Sequence, residues 1–309
     1  MKKKIRKKKM ASRGKKKNVL KERFKTKTKA KKISKIKKVK PVKKRKFDFT
    51  KMVASGNDFI IYDNRRVSLK NASELAVLLC ARTTGIGADG LILIEKSKRA
   101  DFKMRIFNPD GSEAEMCGNG IRCAALYKSK KNVVIETLAG ILKAELKENA
   151  IKVKMTNPYD LQLNLNLNID GKIHQVNFIN TGVPHAVSFV ENLEATRVKL
   201  IGRLIRYHRD FEPEGTNVNF AKIIDQGEIA LRTYERGVEA ETLACGTGSV
   251  AAGLIYHHKF IATNGSYLVS VQTKGNEKLK VYFDYKNGNF LNVWLEGKAQ
   301  IVYKGECYV

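Results

Sequence analysis

The chain has 309 residues, with 60 Lys and Arg against 30 Asp and Glu, a formal charge of +30. Residues 1–46 carry 26 of those cations against one acid, Glu22, while the other 263 residues carry 34 against 29, so the basic charge describes one end and not the body. No apolar run approaches the ~18 residues a membrane span needs, and five irregularly spaced cysteines do not form a disulfide framework, which points to a reducing, cytoplasmic setting.

Residues 1–46 are Lys-dominated with scattered Ile, Val and Leu. Such a segment cannot bury enough apolar surface to offset its ordering entropy, and it reads as a disordered extension. It lacks the continuous apolar stretch of a secretory signal and the Arg/Ser bias of a transit peptide. One reading is an electrostatic tether to nucleic acid or an anionic surface. The others are a solvated tail with no partner, or a start placed too early.

The body repeats itself. In chain order, Gly56-Asn57-Asp58-Phe59, Gly87-Ala88-Asp89 and Phe107-Asn108 precede Cys117-Gly118-Asn119-Gly120. A small, apolar helical stretch follows, Ile121 to Tyr127, ending in the cations Lys128, Lys130 and Lys131. Alternating segments Val133–Thr137, Ile141–Leu146 and Ile151–Met155, parted by Ala139-Gly140 and Glu148-Asn149, predict antiparallel strands. The second half answers in the same order: Gly182-Val183-Pro184-His185, Gly215-Thr216-Asn217, Tyr234-Glu235 and Cys245-Gly246-Thr247-Gly248. A helix over Ser249 to Tyr256 ends in His257, His258 and Lys259, before strands Tyr267–Thr273, Leu279–Tyr285 and Phe290–Leu295 with turns at Gly275-Asn276 and Asn287-Gly288. The two C-G-x-G motifs lie 128 residues apart.

This pattern predicts an α+β fold of two pseudo-symmetric lobes, each a mostly antiparallel sheet or barrel wrapped round a central helix, with the site in the cleft between them. The expected spans are 47–161 for the first lobe, completed by 296–309, and 162–295 for the second.

A free thiol is only about 3% thiolate at pH 7. A helix N-terminus adds partial positive charge and free N–H donors, which can bring a thiol pKa down to about 7. The same N–H groups would hold a carboxylate, and the glycines let backbone approach it. Two such helix starts facing one small anion suit inversion of a stereocentre next to a carboxylate: one sulfur removes a proton as thiolate, and the other delivers one as thiol. Neither Cys117 nor Cys245 belongs to a C-x-x-C pair, so zinc is not suggested, and no cofactor motif is evident. A single nucleophilic cysteine with His185 as base would leave the repeat unexplained. Cys80, Cys123 and Cys307 read as small core hydrophobes.

From Phe49-Thr50-Lys51-Met52 onward the body resembles the diaminopimelate epimerase family, cofactor-independent epimerases of lysine biosynthesis. The resemblance rests on Gly56-Asn57-Asp58-Phe59, Gly85-Ile86-Gly87-Ala88-Asp89 and Phe107-Asn108-Pro109-Asp110-Gly111. Met116-Cys117-Gly118-Asn119-Gly120, Gly215-Thr216-Asn217-Val218-Asn219, Tyr234-Glu235-Arg236-Gly237 and Thr242 to Gly248 complete it. It implies that Cys117 and Cys245 are the acid/base pair, with His185 and Glu235 beside them. It implies that Gly118, Asn119, Gly246 and Thr247 bind the carboxylate at the reacting carbon. Asn57, Asn108, Asn217 and Arg236 would hold the remaining polar groups of a diamino dicarboxylate, Arg236 taking the far carboxylate. A homodimer is expected, and no metal or cofactor. Two positions depart from the common family pattern, Val183 where Asn is frequent and Gly90 where Gln is frequent, so a racemase of the same fold acting on another amino acid is the alternative. A passive scaffold behind a binding tail, and a same-fold isomerase without two-base chemistry, are the competing classes.

Overall fold

A computed structural model describes residues 46–65, 69, 71–148 and 150–308. The extension expected over 1–46 lies, apart from Lys46, outside the described residues; Lys46 opens the first strand. The first half runs β1 (Lys46–Ala54), β2 (Asn57–Asp63), α1 (Ala72–Cys80), β3 (Gly90–Glu95), β4 (Phe102–Phe107), β5 (Glu113–Ala114), α2 (Gly118–Lys128), β6 (Asn132–Thr137), β7 (Gly140–Leu146), β8 (Ile151–Lys154) and β9 (Tyr159–Ile169). The second half repeats the order: β10 (Lys172–Asn180), β11 (Pro184–Phe189), α3 (Val198–Arg206), β12 (Asn217–Asp225), β13 (Glu228–Glu235), β14 (Ala240–Thr242), α4 (Gly246–Phe260), β15 (Gly265–Thr273), β16 (Lys278–Lys286), β17 (Asn289–Gly297) and β18 (Gln300–Tyr308).

The strand ladders repeat as well. β2 runs parallel to β3 as β11 does to β12, and β4 runs parallel to β6 as β13 does to β15. The hairpins β6-β7-β8 and β15-β16-β17 are antiparallel in both halves. A bidentate ion pair recurs at the same place: Arg105 with Glu113 at 2.7 Å, and Arg232 with Glu241 at 2.7 and 3.0 Å. The ladders shift one sequence-based pairing by a residue. Phe59 lies opposite Gly90 and His185 opposite Asn217, so Gly90, not Asp89, is the counterpart of Asn217.

The inner helices are buried because they present no large polar face. In α4 every residue from Gly248 to His257 is buried, and in α2 every residue from Asn119 to Ala125. α4 is small and apolar on nearly all sides and has to be enclosed, α2 is buried beside it although it carries Asn119 and Arg122, and both lie in one core with strands of both lobes. The outer helices are one-sided: α1 buries Ala72, Ala76, Leu79 and Cys80, and α3 buries Val198, Gly202 and Ile205. Among the described residues no helix is long and apolar enough to cross a membrane.

The halves exchange their last strands. β18 pairs antiparallel with β1, and β9, which runs unbroken across positions 161 and 162, pairs with β10. The equivalent strands β8 and β17 pair with each other, Lys152 opposite Glu296 and Lys154 opposite Trp294. This interlock sets the two central helices near one another.

Candidate active site

Each cysteine is the residue at which an extended strand connection turns into a buried helix. Cys117 (φ −144°, ψ 116°) is the N-cap of α2, and its Sγ accepts the Gly120 N–H at 3.5 Å. Cys245 (φ −118°, ψ 115°) precedes α4, with its Sγ 3.6 Å from Thr247 Oγ1. The second glycine of each motif is required by space. A Cβ on Gly120 would stand 3.2 Å from Ile92 and Ile106, and one on Gly248 would stand 2.3 Å from Asn219 Oδ1. Gly118, by contrast, faces open space.

The electrostatics differ from the sequence expectation. A helix N-terminus alone would bring both thiols toward neutrality, yet both are pushed up. For Cys117 burial is the largest cause and the Glu235 carboxylate adds to it, against the opposing Gly120 and Asn119 N–H groups and Arg122. For Cys245 burial again dominates, followed by Glu235, against the Thr247 hydroxyl and Gly248 N–H. Desolvation outweighs the helix terminus because the thiolate loses its water and gains only two or three donors. Glu235 therefore acts on both sulfurs and hydrogen-bonds with Cys245. Its own acidity is weakened by burial, while the Thr242 hydroxyl, which donates to its Oε1, steadies the charge.

His185 is fully buried and held neutral, its pKa driven down to about 3 by burial and by the nearby Arg236 charge. Its Nδ1 lies 3.1 Å from Asn219 Nδ2, an amide whose own Oδ1 accepts from Thr233 at 2.9 Å. Since the amide nitrogen donates, Nε2 of the neutral ring carries the hydrogen, and this atom is buried with no hydrogen-bond partner among the described residues. Asn217 ties two segments together, donating to the Pro184 carbonyl at 3.0 Å and accepting the Arg236 N–H at 2.9 Å. Among the described residues the Arg236 guanidinium pairs with the exposed Glu214, at 3.5 Å.

The first lobe's residues form a chain of amides. Asn119 donates to Asn57, and Asn57 donates to Asp89 at 3.2 Å. Asp89 and Asp58 are both gripped by Arg82, and the buried Lys51 pairs with Asp58 at 2.7 Å. Asn108 is held by its own turn, its amide donating to Ser112 Oγ at 3.0 Å. Gly90 has a packing reason here: a Cβ would press on the Phe107 carbonyl at 3.1 Å and the Phe59 ring at 3.3 Å. Cys117, Cys245 and Glu235 thus come together, as do His185 and Arg236, and Asn57 and Asn119. Asn219, Thr181, which donates to the Thr247 carbonyl at 3.2 Å, and the buried Arg122 escaped the sequence reading. Asn219 stood inside a quoted motif, and Arg122 five residues after Cys117 in an otherwise apolar helix was itself a legible signal.

The diaminopimelate epimerase family signature matches residues 49–161 and 177–302. The diaminopimelate epimerase of Aquifex aeolicus is 42% identical over 274 residues, covering 84% of this chain and 96% of that protein. That of Archaeoglobus fulgidus is 44% identical over 253 residues, covering 74% and 86%. Among solved structures, a Bacillus anthracis phenazine biosynthesis protein of the PhzF family shares the fold at TM-score 0.68 and 18% identity, over 86% of this chain and all (100%) of that one. A hydroxyproline epimerase from Agrobacterium vitis, with bound trans-4-hydroxy-L-proline, does so at TM-score 0.63 and 16% identity, over 86% and 93%. With both cysteine motifs, the duplicated fold and this length of match in hand, the chain belongs to the diaminopimelate epimerase family.

Proposed function

We propose that this protein interconverts LL- and meso-2,6-diaminopimelate, a step of lysine biosynthesis, by exchanging one proton between Cys117 and Cys245 across the α-carbon. The observation that carries it is the pair of cysteines at the starts of two equivalent buried helices, with one carboxylate, Glu235, acting on both. One sulfur, as thiolate, takes the α-hydrogen from one face. The negative charge left behind spreads into the neighbouring carboxylate, where the N–H groups of Gly118-Asn119 and Gly246-Thr247 stabilise it. The other sulfur, as thiol, returns a proton to the opposite face, so one turnover swaps the roles of the two. His185 and Glu235 set the polarity around the sulfurs, and Asn57, Asn108 and Asn217 hold the substrate's remaining polar groups. The far carboxylate takes the place of Glu214 on Arg236, and a plain amino acid forgoes that contact.

The chain acts in the cytoplasm as a homodimer: β18 presents Ile301, Val302 and Tyr303 at 46, 53 and 44% exposure, a row that a second copy would cover. Residues 1–46 make weak, salt-dependent contacts with nucleic acid or an anionic surface, through charge alone.

Proton NMR of LL-diaminopimelate with purified protein in deuterated water tests the reaction. Loss of the α-proton signal with appearance of the meso isomer is expected without added cofactor. No exchange by a folded protein with reduced thiols would transfer the two-cysteine site to a different amino acid.

A further inference from the structure

The ladders make the two lobes comparable residue by residue. With Gly90 as the counterpart of Asn217, His185 corresponds to Phe59, Asn219 to Ile92 and Thr233 to Ile106. All six side chains are buried. Both sets lie under the start of a central helix: a Cβ on Gly120 would stand 3.2 Å from Ile92 and Ile106, and one on Gly248 would stand 2.3 Å from Asn219 Oδ1. The first lobe therefore fills this place with a phenyl ring and two isoleucines, and the second fills it with an imidazole, an amide and a hydroxyl. The first lobe is an internal control: the fold is satisfied by apolar packing at these positions. A buried polar cluster carries a desolvation cost that the apolar set avoids, so packing does not account for its presence.

The hydrogen bonds within the polar cluster run one way. The Asn219 amide nitrogen donates to the Ala186 carbonyl at 3.0 Å, and a carbonyl can only accept, which fixes the orientation of the amide. Its second hydrogen faces His185 Nδ1 at 3.1 Å, and its Oδ1 accepts from the Thr233 hydroxyl at 2.9 Å. Both amide hydrogens are thus engaged. Nδ1 of the ring is held as an acceptor, and the hydrogen of the neutral ring stays on Nε2. That N–H is buried with no hydrogen-bond partner among the described residues. Buried donors are nearly always paired, so an unpaired one beside a ligand site points to an acceptor that the ligand brings. The ring stands at that site: Asn217 joins the Pro184 carbonyl, one residue before His185, to the Arg236 N–H, and the Arg236 charge acts on the imidazole. Of the polar groups on a diamino dicarboxylate only the carboxylates accept, because an ammonium group has no lone pair.

We propose that Asn219, steadied by Thr233, is a positioning residue that sets the hydrogen of His185 on Nε2, and that His185 serves the reaction as a hydrogen-bond donor to a substrate carboxylate and not as a base. A ring with Nδ1 filled and Nε2 protonated has no free lone pair with which to take the α-hydrogen, so proton transfer stays with the two sulfurs. The first lobe, with Phe59 in the equivalent place, supplies no such donor. This inference rests on the two-cysteine reading above.

The test reads the ring nitrogens directly, by nitrogen-15 NMR of the substrate-free full chain labelled at histidine, with His185→Gln identifying the signals among the five histidines. The unaltered chain is expected to show a bare Nδ1 and a protonated Nε2. Asn219→Asp keeps the shape but presents acceptors alone, so Nδ1 should gain a hydrogen, and turnover should fall about 10²-fold, the usual effect of losing one positioned donor. A bare Nε2 in the unaltered chain, or an Nδ1 that stays bare in Asn219→Asp, overturns the proposal. If Asn219→Asp does not fold, Asn219→Ile with Thr233→Ile, which copies the packing of the first lobe, takes its place. An Nδ1 signal drawn toward the protonated position, with turnover again reduced, supports the proposal, and an unchanged signal or unchanged turnover overturns it. Diaminopimelate α-proton exchange by the unaltered chain is run alongside. Where it occurs, adding diaminopimelate to the Cys117→Ala chain should shift the Nε2 signal with its hydrogen retained, and an unmoved signal overturns the donor role. No exchange, with the ring hydrogen still following Asn219, removes the substrate assignment and leaves the positioning role standing; exchange without that dependence removes the positioning role alone.

Discussion

At the scale of single residues, the site is a contest between burial and the helix terminus, and burial prevails at both sulfurs. General acid/base groups are typically worth 10²–10⁴-fold, so Cys117→Ala and Cys245→Ala should each lower turnover by about 10³-fold or more. Retention of full turnover by either variant would end the two-base mechanism. Glu235→Gln removes a charge that raises both thiols, so the acidic limb of the pH–rate profile should move to lower pH, along with a lower maximal rate. An unmoved limb would mean that Glu235 does not act on the thiols electrostatically. His185 gives a stability signature. Its folded pKa lies near 3 against 6.5 unfolded, so the unfolded chain binds the extra proton. Stability is therefore complete above pH 6.5 and declines as the pH falls from there toward 3. Urea midpoints measured from pH 7 to 4.5 should fall, and His185→Gln should flatten that slope.

At the scale of elements, the two helix starts look interchangeable in sequence but meet different neighbours. Gly120 abuts two isoleucine methyl groups that can give by a few tenths of an ångström, whereas Gly248 abuts the carbonyl of the Asn219 amide that supports His185. Gly248→Ala should therefore cost about 1–3 kcal/mol of stability and most of the activity, and Gly120→Ala distinctly less of both. Equal losses in a thermal melt and in turnover would remove the role given to Asn219. The helices α2 and α4 were legible because a run of mostly small, apolar residues behind C-G-x-G, closed by cations, has a single reading. The helices α1 and α3 were not read: each is only nine residues long, and although Asn71 with Glu74 marks the start of α1, α3 opens at Arg197, which is no capping residue type.

At the scale of the molecule, each half completes the other. β18 pairs along β1, whose Phe47 and Phe49 are buried at 1 and 8% exposure, so the last strand closes the edge of the first half's sheet. A chain ending at Lys298 should lose cooperative unfolding of the whole body and not merely a fringe; near-ultraviolet dichroism and urea titration would report it. A single unaltered transition would show β18 to be dispensable. Sedimentation equilibrium of Tyr303→Asp tests the proposed dimer at the same strand, with a shift toward monomer expected.

By itself the sequence determined the duplication, the two cysteines at helix starts, the hairpins after each helix and the family resemblance, because these depend on local pattern and on residue types whose chemistry is distinctive. Only the tertiary structure decided the rest. The return of β18 to β1 is a long-range pairing, expected as the completion of the first lobe by 296–309 but not encoded by spacing, whereas β9 crosses the expected boundary at 161/162 through a local hairpin with β10. The one-residue shift that sets Gly90 opposite Phe59 follows from ladder register. The acidity of the thiols and the neutrality of His185 depend on how completely water is excluded, and that is a property of the packed molecule, not of the motif.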